Sequence, residues 1–196
     1  MNRELKTPTV ALIEEYFTKF KENERYYKAD KAIMALIEQF PHNNDIEHIL
    51  LKVVTINSLY NTNIYATYQL AQHIHNINID NRLEHNESSL VAEISRISLN
   101  GKAKNLISFA SKYCSFHKPC YFPKCDSFVK RLLCAYRNQD QKVKFKNAEI
   151  NDYASFKGII DSFKTEYGLQ RISYNKLDKF LWLYGKDVFS NQDSGE

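Results

Sequence analysis

The stretch from Ser88 to Leu133 decides the fold and reads SSLVAEISRISLNGKAKNLISFASKYCSFHKPCYFPKCDSFVKRLL. Apolar side chains recur at helical spacing before and after a turn at residues 98–101, and again after Asp126. A connector with two prolines, residues 117–125, separates the last two segments, because proline does not continue a helix. Asp126 stands at an N-cap position. The stretch predicts a helix, a tight turn that leads straight into a second helix, a connector and a third helix.

The helical period continues on both sides of this stretch. Thr7 and Pro8 predict the start of a first helix, Pro41 the end of a second, and Asp45 the start of a third. Two further helices are expected at roughly 152–167 and 173–185. The alternating segment 142–146 is either a short strand or a basic loop. The predicted fold class is all-α: one two-lobed helical domain over residues 1–189, with a cleft between the lobes, and a disordered tail over residues 190–196.

Composition excludes several classes of protein. The chain has 196 residues, of which five are glycine and four proline, too few for the turns of most sandwiches and barrels. No apolar run approaches the roughly 20 residues of a membrane span. The acidic, amphipathic first segment does not resemble a signal peptide, and the four cysteines are expected to be reduced thiols. We therefore expect a cytoplasmic, monomeric protein without a membrane partner.

Positive charge is concentrated in one part of the chain. Residues 101–147 contain 11 basic and two acidic side chains, a net charge of +9, whereas residues 1–100 have a net charge of −3 and residues 148–196 of −2. Such a segment favours a polyanionic partner, and double-stranded DNA is the partner we expect. The alternative is a solvated charge cluster without a partner.

Two motifs in this stretch carry a family resemblance. Residues 97–104 read Ile-Ser-Leu-Asn-Gly-Lys-Ala-Lys, and residues 119–126 read Pro-Cys-Tyr-Phe-Pro-Lys-Cys-Asp. A hairpin between helices, a proline-containing connector and an aspartate at a helix start resemble the helix-hairpin-helix DNA glycosylases, in particular their 8-oxoguanine branch. The segment 49–58 is similar to an early helix of these enzymes. The resemblance covers about residues 45–135.

The chain also departs from the pattern of that superfamily. The first hairpin glycine is replaced by Leu99, so that only Gly101 remains. The connector is one residue longer than usual, and the four-cysteine iron–sulfur loop of some relatives is absent from the sequence. These departures weaken the resemblance at the phosphate-binding hairpin more than at Asp126.

The resemblance implies a DNA glycosylase that acts in base-excision repair or against phage DNA with modified bases, without a cofactor or a metal. It implies that Asp126 is catalytic and that Lys104 forms a Schiff base in a bifunctional enzyme, with Lys102 and Lys112 as alternatives. The residues expected to contact DNA are Gly101, Lys102, Lys124, Lys130 and Arg131, and those expected to line the base pocket or probe the base are Asn57 and Tyr60.

Chemistry independent of the family also points to Asp126. Cleavage of an N-glycosidic bond develops positive charge on the sugar, and a carboxylate beside C1′ stabilises that charge or activates the attacking water. An ordinary N-cap worth about 1 kcal/mol is the competing interpretation of the same residue.

Two other functions compete with the enzyme. The first is a non-catalytic DNA-binding module, in which the basic segment binds DNA and Asp126 only caps a helix. The second is a zinc-stabilised interaction domain, since four nitrogen or sulfur ligands fall within twelve residues: Cys114, His117, Cys120 and Cys125. Buried cysteines that pack as small apolar side chains are the simpler explanation of that cluster.

Overall fold

The computed structural model describes residues 4–99 and 101–190. Within them the fold is all-α apart from one two-stranded sheet, which confirms the predicted fold class. The elements, in chain order, are α1 (Val10–Glu22), α2 (Glu24–Gln39), α3 (Ile46–Leu59), α4 (Thr67–Asn76), α5 (Asp80–Glu84), α6 (Ser89–Ser95), β1 (Arg96–Leu99), β2 (Lys102–Asn105), α7 (Ile107–His117), α8 (Ser127–Asp140), a 3-10 turn (Glu149–Asn151), α9 (Tyr153–Glu166) and α10 (Tyr174–Phe189).

The described residues divide into two compact units, of which the first comprises residues 4–24 and 125–190. In this unit α10 packs against both α1 and α8. Aromatic side chains fill its core: Tyr16 and Phe180 meet edge to face with ring centroids 5.7 Å apart, and Tyr136 meets Phe163 at 5.4 Å. Edge-to-face pairs add to the stabilisation from apolar burial. The unit is therefore built around α10.

The second unit comprises residues 25–124. Its α3 packs on α4 and α7, and α6 packs on α7. The apolar stripes of these helices are fully buried, including Ile49, Val53 and Ile56 of α3 and Phe109 of α7. This unit also contains β1 and β2.

The predicted tight turn between two helices is a β-hairpin instead. β1 and β2 pair antiparallel, with Leu99 opposite Lys102. Gly101 has a φ of +73°, a left-handed conformation that glycine adopts without strain. Asn100 lies outside the described residues. The predicted direct passage from turn to helix is wrong, because the described strands separate α6 from α7 at the position where the resemblance implied a helix-hairpin-helix.

Most predicted helix boundaries agree with the structure to within a few residues. Asp45 and Asp126 are N-caps, as predicted. The first helix, however, is capped by Thr9 and not by Thr7: Thr9 Oγ1 accepts a hydrogen bond from Leu12 N at 3.2 Å. The segment 142–146 is a loop, the second of its two predicted alternatives.

The last described residue, Ser190, is the C-cap of α10, and the rest of the predicted tail lies outside the described residues. In the described part of the chain, no helix combines the length and the apolar character that crossing a membrane requires.

Candidate functional site

Asp126 occupies the N-terminus of α8 as its N-cap. Its backbone is extended, with φ −106° and ψ 156°, and its Oδ1 accepts a hydrogen bond from Phe128 N at 3.0 Å. The side chain is half-buried. A carboxylate held in this way is oriented by the backbone before any ligand arrives, and the helix dipole favours its negative charge.

Two other aspartates of the chain have the same role. Asp45 accepts from His48 N at 3.0 Å at the start of α3, and Asp152 accepts from Ser155 N at 2.9 Å at the start of α9. Capping alone therefore does not distinguish Asp126. Its distinction is chemical: basic side chains follow it in the first turns of α8, and the connector with two prolines precedes it.

The two basic side chains that follow Asp126 lie on α8. Lys130 Nζ donates to Asn151 Oδ1 at 2.9 Å and is half-exposed. Arg131 is exposed, and its guanidinium lies 4.4 Å from the ring centroid of Phe189. Both remain predicted DNA contacts.

The hairpin presents basic side chains to solvent. Lys102 and Lys104 on β2 are exposed, as is Arg96 on β1. Sequence reasoning did not single out Arg96, whose position opposite Asn105 becomes visible only from the strand register. An exposed ammonium such as that of Lys104 suits a phosphate contact, but it lacks the burial that activates an amine as a nucleophile.

The second unit contains a buried charged cluster around Tyr60. The Tyr60 phenol donates to Asp30 Oδ1, and Lys124 Nζ donates to the Tyr60 oxygen at 3.3 Å. The same ammonium lies 3.9 Å from Asp30 Oδ1 and 4.4 Å from the ring centroid of Phe116. Tyr60 itself is half-buried. Asp30 was not predicted, because an isolated acidic residue in an amphipathic helix carries no signal of its long-range partners.

This cluster corrects one prediction. Lys124 was expected to contact DNA, but it is only 4% exposed and its ammonium is held against Asp30 and Tyr60. A phosphate cannot reach an ammonium in that setting without opening the fold. Lys124 is therefore a structural residue of the second unit.

Lys112, the third candidate amine, is also buried. It is 2% exposed, and its Nζ donates to Ser108 Oγ at 2.7 Å. The same Nζ lies 5.7 Å from the ring centroid of Tyr60. Of the three candidate lysines it is the buried one, and the ammonium of Lys124 also lies near the Tyr60 ring, 5.3 Å from its centroid.

Asn57 organises the loop between α3 and α4. Its Oδ1 accepts from Thr62 Oγ1 at 2.7 Å and from Ile64 N at 3.0 Å, and its Nδ2 donates to Ile64 O at 2.9 Å. Asn61 and Asn63 in this loop have positive φ angles. Asn57 is thus engaged in shaping the loop, and its predicted role as a probe of the base would require these bonds to break.

The four possible zinc ligands do not converge. Cys114 and Cys125 are buried, whereas Cys120 is exposed. Burial raises the pKa of the Cys114 thiol and lowers the pKa of His117 to about 3. No group of three or more His, Cys, Asp or Glu side chains that could hold a metal ion occurs in residues 4–99 and 101–190. The geometry does not support the zinc alternative.

Comparisons with known proteins give a family but no activity. Residues 12–121 match the model of the HI_0787_N family, described as an N-terminal domain. The chain is similar to a protein of Haemophilus influenzae called an uncharacterized protein, with 37% identity over 145 residues, which are 74% of this chain and 69% of the relative. No solved structure matches the chain.

Proposed function

The chain belongs to the HI_0787_N N-terminal domain family, and for this member we propose the function of a DNA glycosylase, which flips out a damaged or modified base and hydrolyses its N-glycosidic bond. The observation that carries the proposal is the carboxylate of Asp126, fixed at the N-terminus of α8 and followed by basic side chains. The family match ends at residue 121, so it does not include this carboxylate.

Asp126 supplies the chemistry in this proposal. As the bond between C1′ and the base breaks, positive charge develops on the sugar, and a carboxylate nearby stabilises it. The same carboxylate orients a water molecule, takes its proton and directs its oxygen to C1′. The base leaves with the electrons of the broken bond, and an abasic site remains. Because the hydrogen bond from Phe128 N already orients the carboxylate, little reorganisation is needed.

DNA is held by exposed basic side chains. Lys102, Lys104 and Arg96 of the hairpin contact phosphates through charge and not through hairpin amides, since the two strands replace the expected helix-hairpin-helix. Arg131 of α8 is exposed and stays a predicted DNA contact. Tyr60 is half-buried and stays a predicted residue of the base pocket, and the ammonium groups of Lys112 and Lys124 lie 5.7 and 5.3 Å from its ring centroid.

A bifunctional enzyme would use an amine as nucleophile. Of the three candidate amines Lys112 is the buried one, at 2% exposed, so it would reach C1′ only after a local opening of the fold, whereas Lys102 and Lys104 are exposed. The amine would attack C1′, expel the base and form a Schiff base, after which the DNA strand is cut. The proposed setting is cytoplasmic, in repair or in defence against phage DNA with modified bases.

A non-catalytic DNA-binding module is the second candidate. The observation that favours it is the hairpin, which exposes three basic side chains on two paired strands but carries no reactive group. In such a module Asp126 would cap α8 as Asp45 caps α3 and Asp152 caps α9.

The test is base release from duplexes that contain 8-oxoguanine, uracil, alkylated bases or phage-type modified bases, with abasic sites revealed by alkali. We expect the wild type to release the base from at least one duplex. Asp126→Asn should lose this activity, whereas Asp45→Asn and Asp152→Asn should retain it. These two controls remove the same charge from equivalent caps. Tight DNA binding without release from any duplex would favour the binding module.

A further inference from the structure

The loop that follows α8, residues 141–147, exposes three lysines. Lys142, Lys144 and Lys146 are exposed, whereas Val143 between them is only 3% exposed and Phe145 is half-buried. Alternation of this kind places the apolar side chains inward and the ammonium groups outward. Successive lysines are two residues apart, so their Cα atoms are separated by at most about 7 Å. We name residues 141–147 the lysine loop.

Arg137 of α8 holds the lysine loop in shape. Its Nη1 donates to Phe145 O at 3.0 Å and to Asn147 Oδ1 at 2.9 Å. Its guanidinium also covers the ring of Phe145, at 4.7 Å from the centroid. One arginine therefore holds the backbone at Phe145 and the side chain of Asn147 without using any of the three lysines.

The neighbouring carboxylates are engaged with backbone amides at the two ends of the lysine loop. Asp140 Oδ1 accepts from Lys142 N at 3.2 Å, and Glu149 Oε2 accepts from Lys146 N at 2.5 Å. Asp140 also accepts from the Tyr167 hydroxyl. Within residues 4–99 and 101–190, none of the three ammonium groups forms an ion pair with a carboxylate.

We propose that the lysine loop binds the phosphate backbone of double-stranded DNA. Three outward cations at short, regular intervals complement a chain of phosphates. The loop offers no freely exposed ring, because Arg137 covers Phe145 and Lys142 lies 4.9 Å from the ring centroid of Tyr167. Binding of single strands depends on rings that stack with bases, so the duplex is the partner that fits.

The lysine loop is a second contact, separate from the Asp126 end of α8. The helix has 14 residues, which places its two ends about 21 Å apart. This inference shares the DNA partner of the proposed function, but it requires no chemistry at Asp126. Binding at the lysine loop is therefore measurable on undamaged DNA.

The experiment measures the affinity for an undamaged 24-base-pair duplex between 50 and 200 mM KCl by fluorescence anisotropy, roughly the salt range in which phosphate contacts dominate. Each phosphate contact contributes about 0.9 to the slope of log K against log salt. In the variant Lys142→Gln/Lys144→Gln/Lys146→Gln the magnitude of this slope should fall by about 2 to 3. At a KCl concentration in the middle of the range, the variant should bind the duplex about tenfold or more weakly than the wild type.

The matched control is Lys21→Gln/Lys28→Gln/Lys31→Gln, which removes three charges from exposed positions on α1 and α2. The control should keep a slope within about 0.5 of the wild type. Equal slopes for the two triple variants would overturn the inference, as would a larger loss for a single-stranded oligonucleotide than for the duplex. Equally good displacement of the duplex by polyglutamate would assign the loop to acidic proteins and overturn it as well.

Two readouts separate this inference from the proposed function. Thermal unfolding of each variant checks whether the fold is retained. If the wild type releases no base while the lysine-loop variant shows the reduced salt dependence of binding, the glycosylase proposal is wrong and DNA binding by the lysine loop is supported. If Asp126→Asn abolishes base release while the lysine-loop variant keeps the salt dependence of the wild type, the glycosylase proposal is supported and DNA binding by the lysine loop is wrong.

Discussion

Phe128 and Gly185 lie so close that a Cβ atom at Gly185 would be 2.9 Å from the carbonyl oxygen of Phe128. Only a residue without a side chain allows α10 to approach the first turn of α8 to this distance. Phe128 also donates the hydrogen bond that orients Asp126. The packing of α10 therefore fixes the backbone that holds the candidate catalytic carboxylate.

Replacing Gly185 by alanine should disturb both stability and activity. The new methyl group forces α8 and α10 apart, and we expect a loss of about 1–3 kcal/mol in the free energy of unfolding, together with slower base release. Denaturant unfolding measures the first effect. The control is Gly158→Ala in α9, where a Cβ meets nothing within 4 Å. That variant should gain about 0.5–1 kcal/mol from helix propensity. Stabilisation by both substitutions would refute the close contact.

Lys52 of α3 is fully buried and fully hydrogen-bonded. Its Nζ donates to Phe40 O at 3.1 Å, to His42 O at 2.8 Å and to Asn43 Oδ1 at 2.7 Å. Burial lowers the pKa of Lys52 to about 8, and the Asp80 carboxylate partly opposes this shift. The ammonium therefore links the end of α2 to α3 at a cost in desolvation.

The stability of the protein should depend on pH through Lys52. Between pH 8 and about 10.4 the unfolded chain binds a proton at this amine that the folded chain has released, so stability rises with pH in this window. The full shift corresponds to about 3 kcal/mol. Denaturant unfolding at pH 7 and pH 10 should show the rise in the wild type relative to Lys52→Met. If the difference in the free energy of unfolding between the wild type and Lys52→Met is the same at pH 7 and at pH 10, the lowered pKa of Lys52 is contradicted.

Local sequence signals predicted part of the fold and missed part of it. Asp45 and Asp126 were recognised as caps because an aspartate before an apolar helix is a short-range signal. The hairpin was missed although Asn100-Gly101 between alternating segments is itself a hairpin signal. The cluster of Asp30, Tyr60 and Lys124 was beyond prediction, since its members are far apart in the sequence and each is unremarkable alone.

Lys104 should act in binding and not in chemistry. For the duplex whose base is released fastest, Lys104→Gln should weaken the affinity about as much as Lys102→Gln does, because both lysines are exposed on the same strand. The single-turnover rate at saturating enzyme should remain unchanged in both variants. Loss of that rate in Lys104→Gln alone, with unchanged affinity, would make Lys104 the nucleophile.

The catalytic role of Asp126 is tested most directly by the single-turnover rate of base release by Asp126→Asn compared with Asp152→Asn, together with the affinity of each variant for the same duplex. If Asp126 is catalytic, Asp126→Asn should lose at least about 100-fold in rate and keep its affinity for the duplex. Asp152→Asn, which also removes a cap carboxylate, should keep both. Equal rates in the two variants would show that Asp126 only caps α8 and would contradict the proposed function.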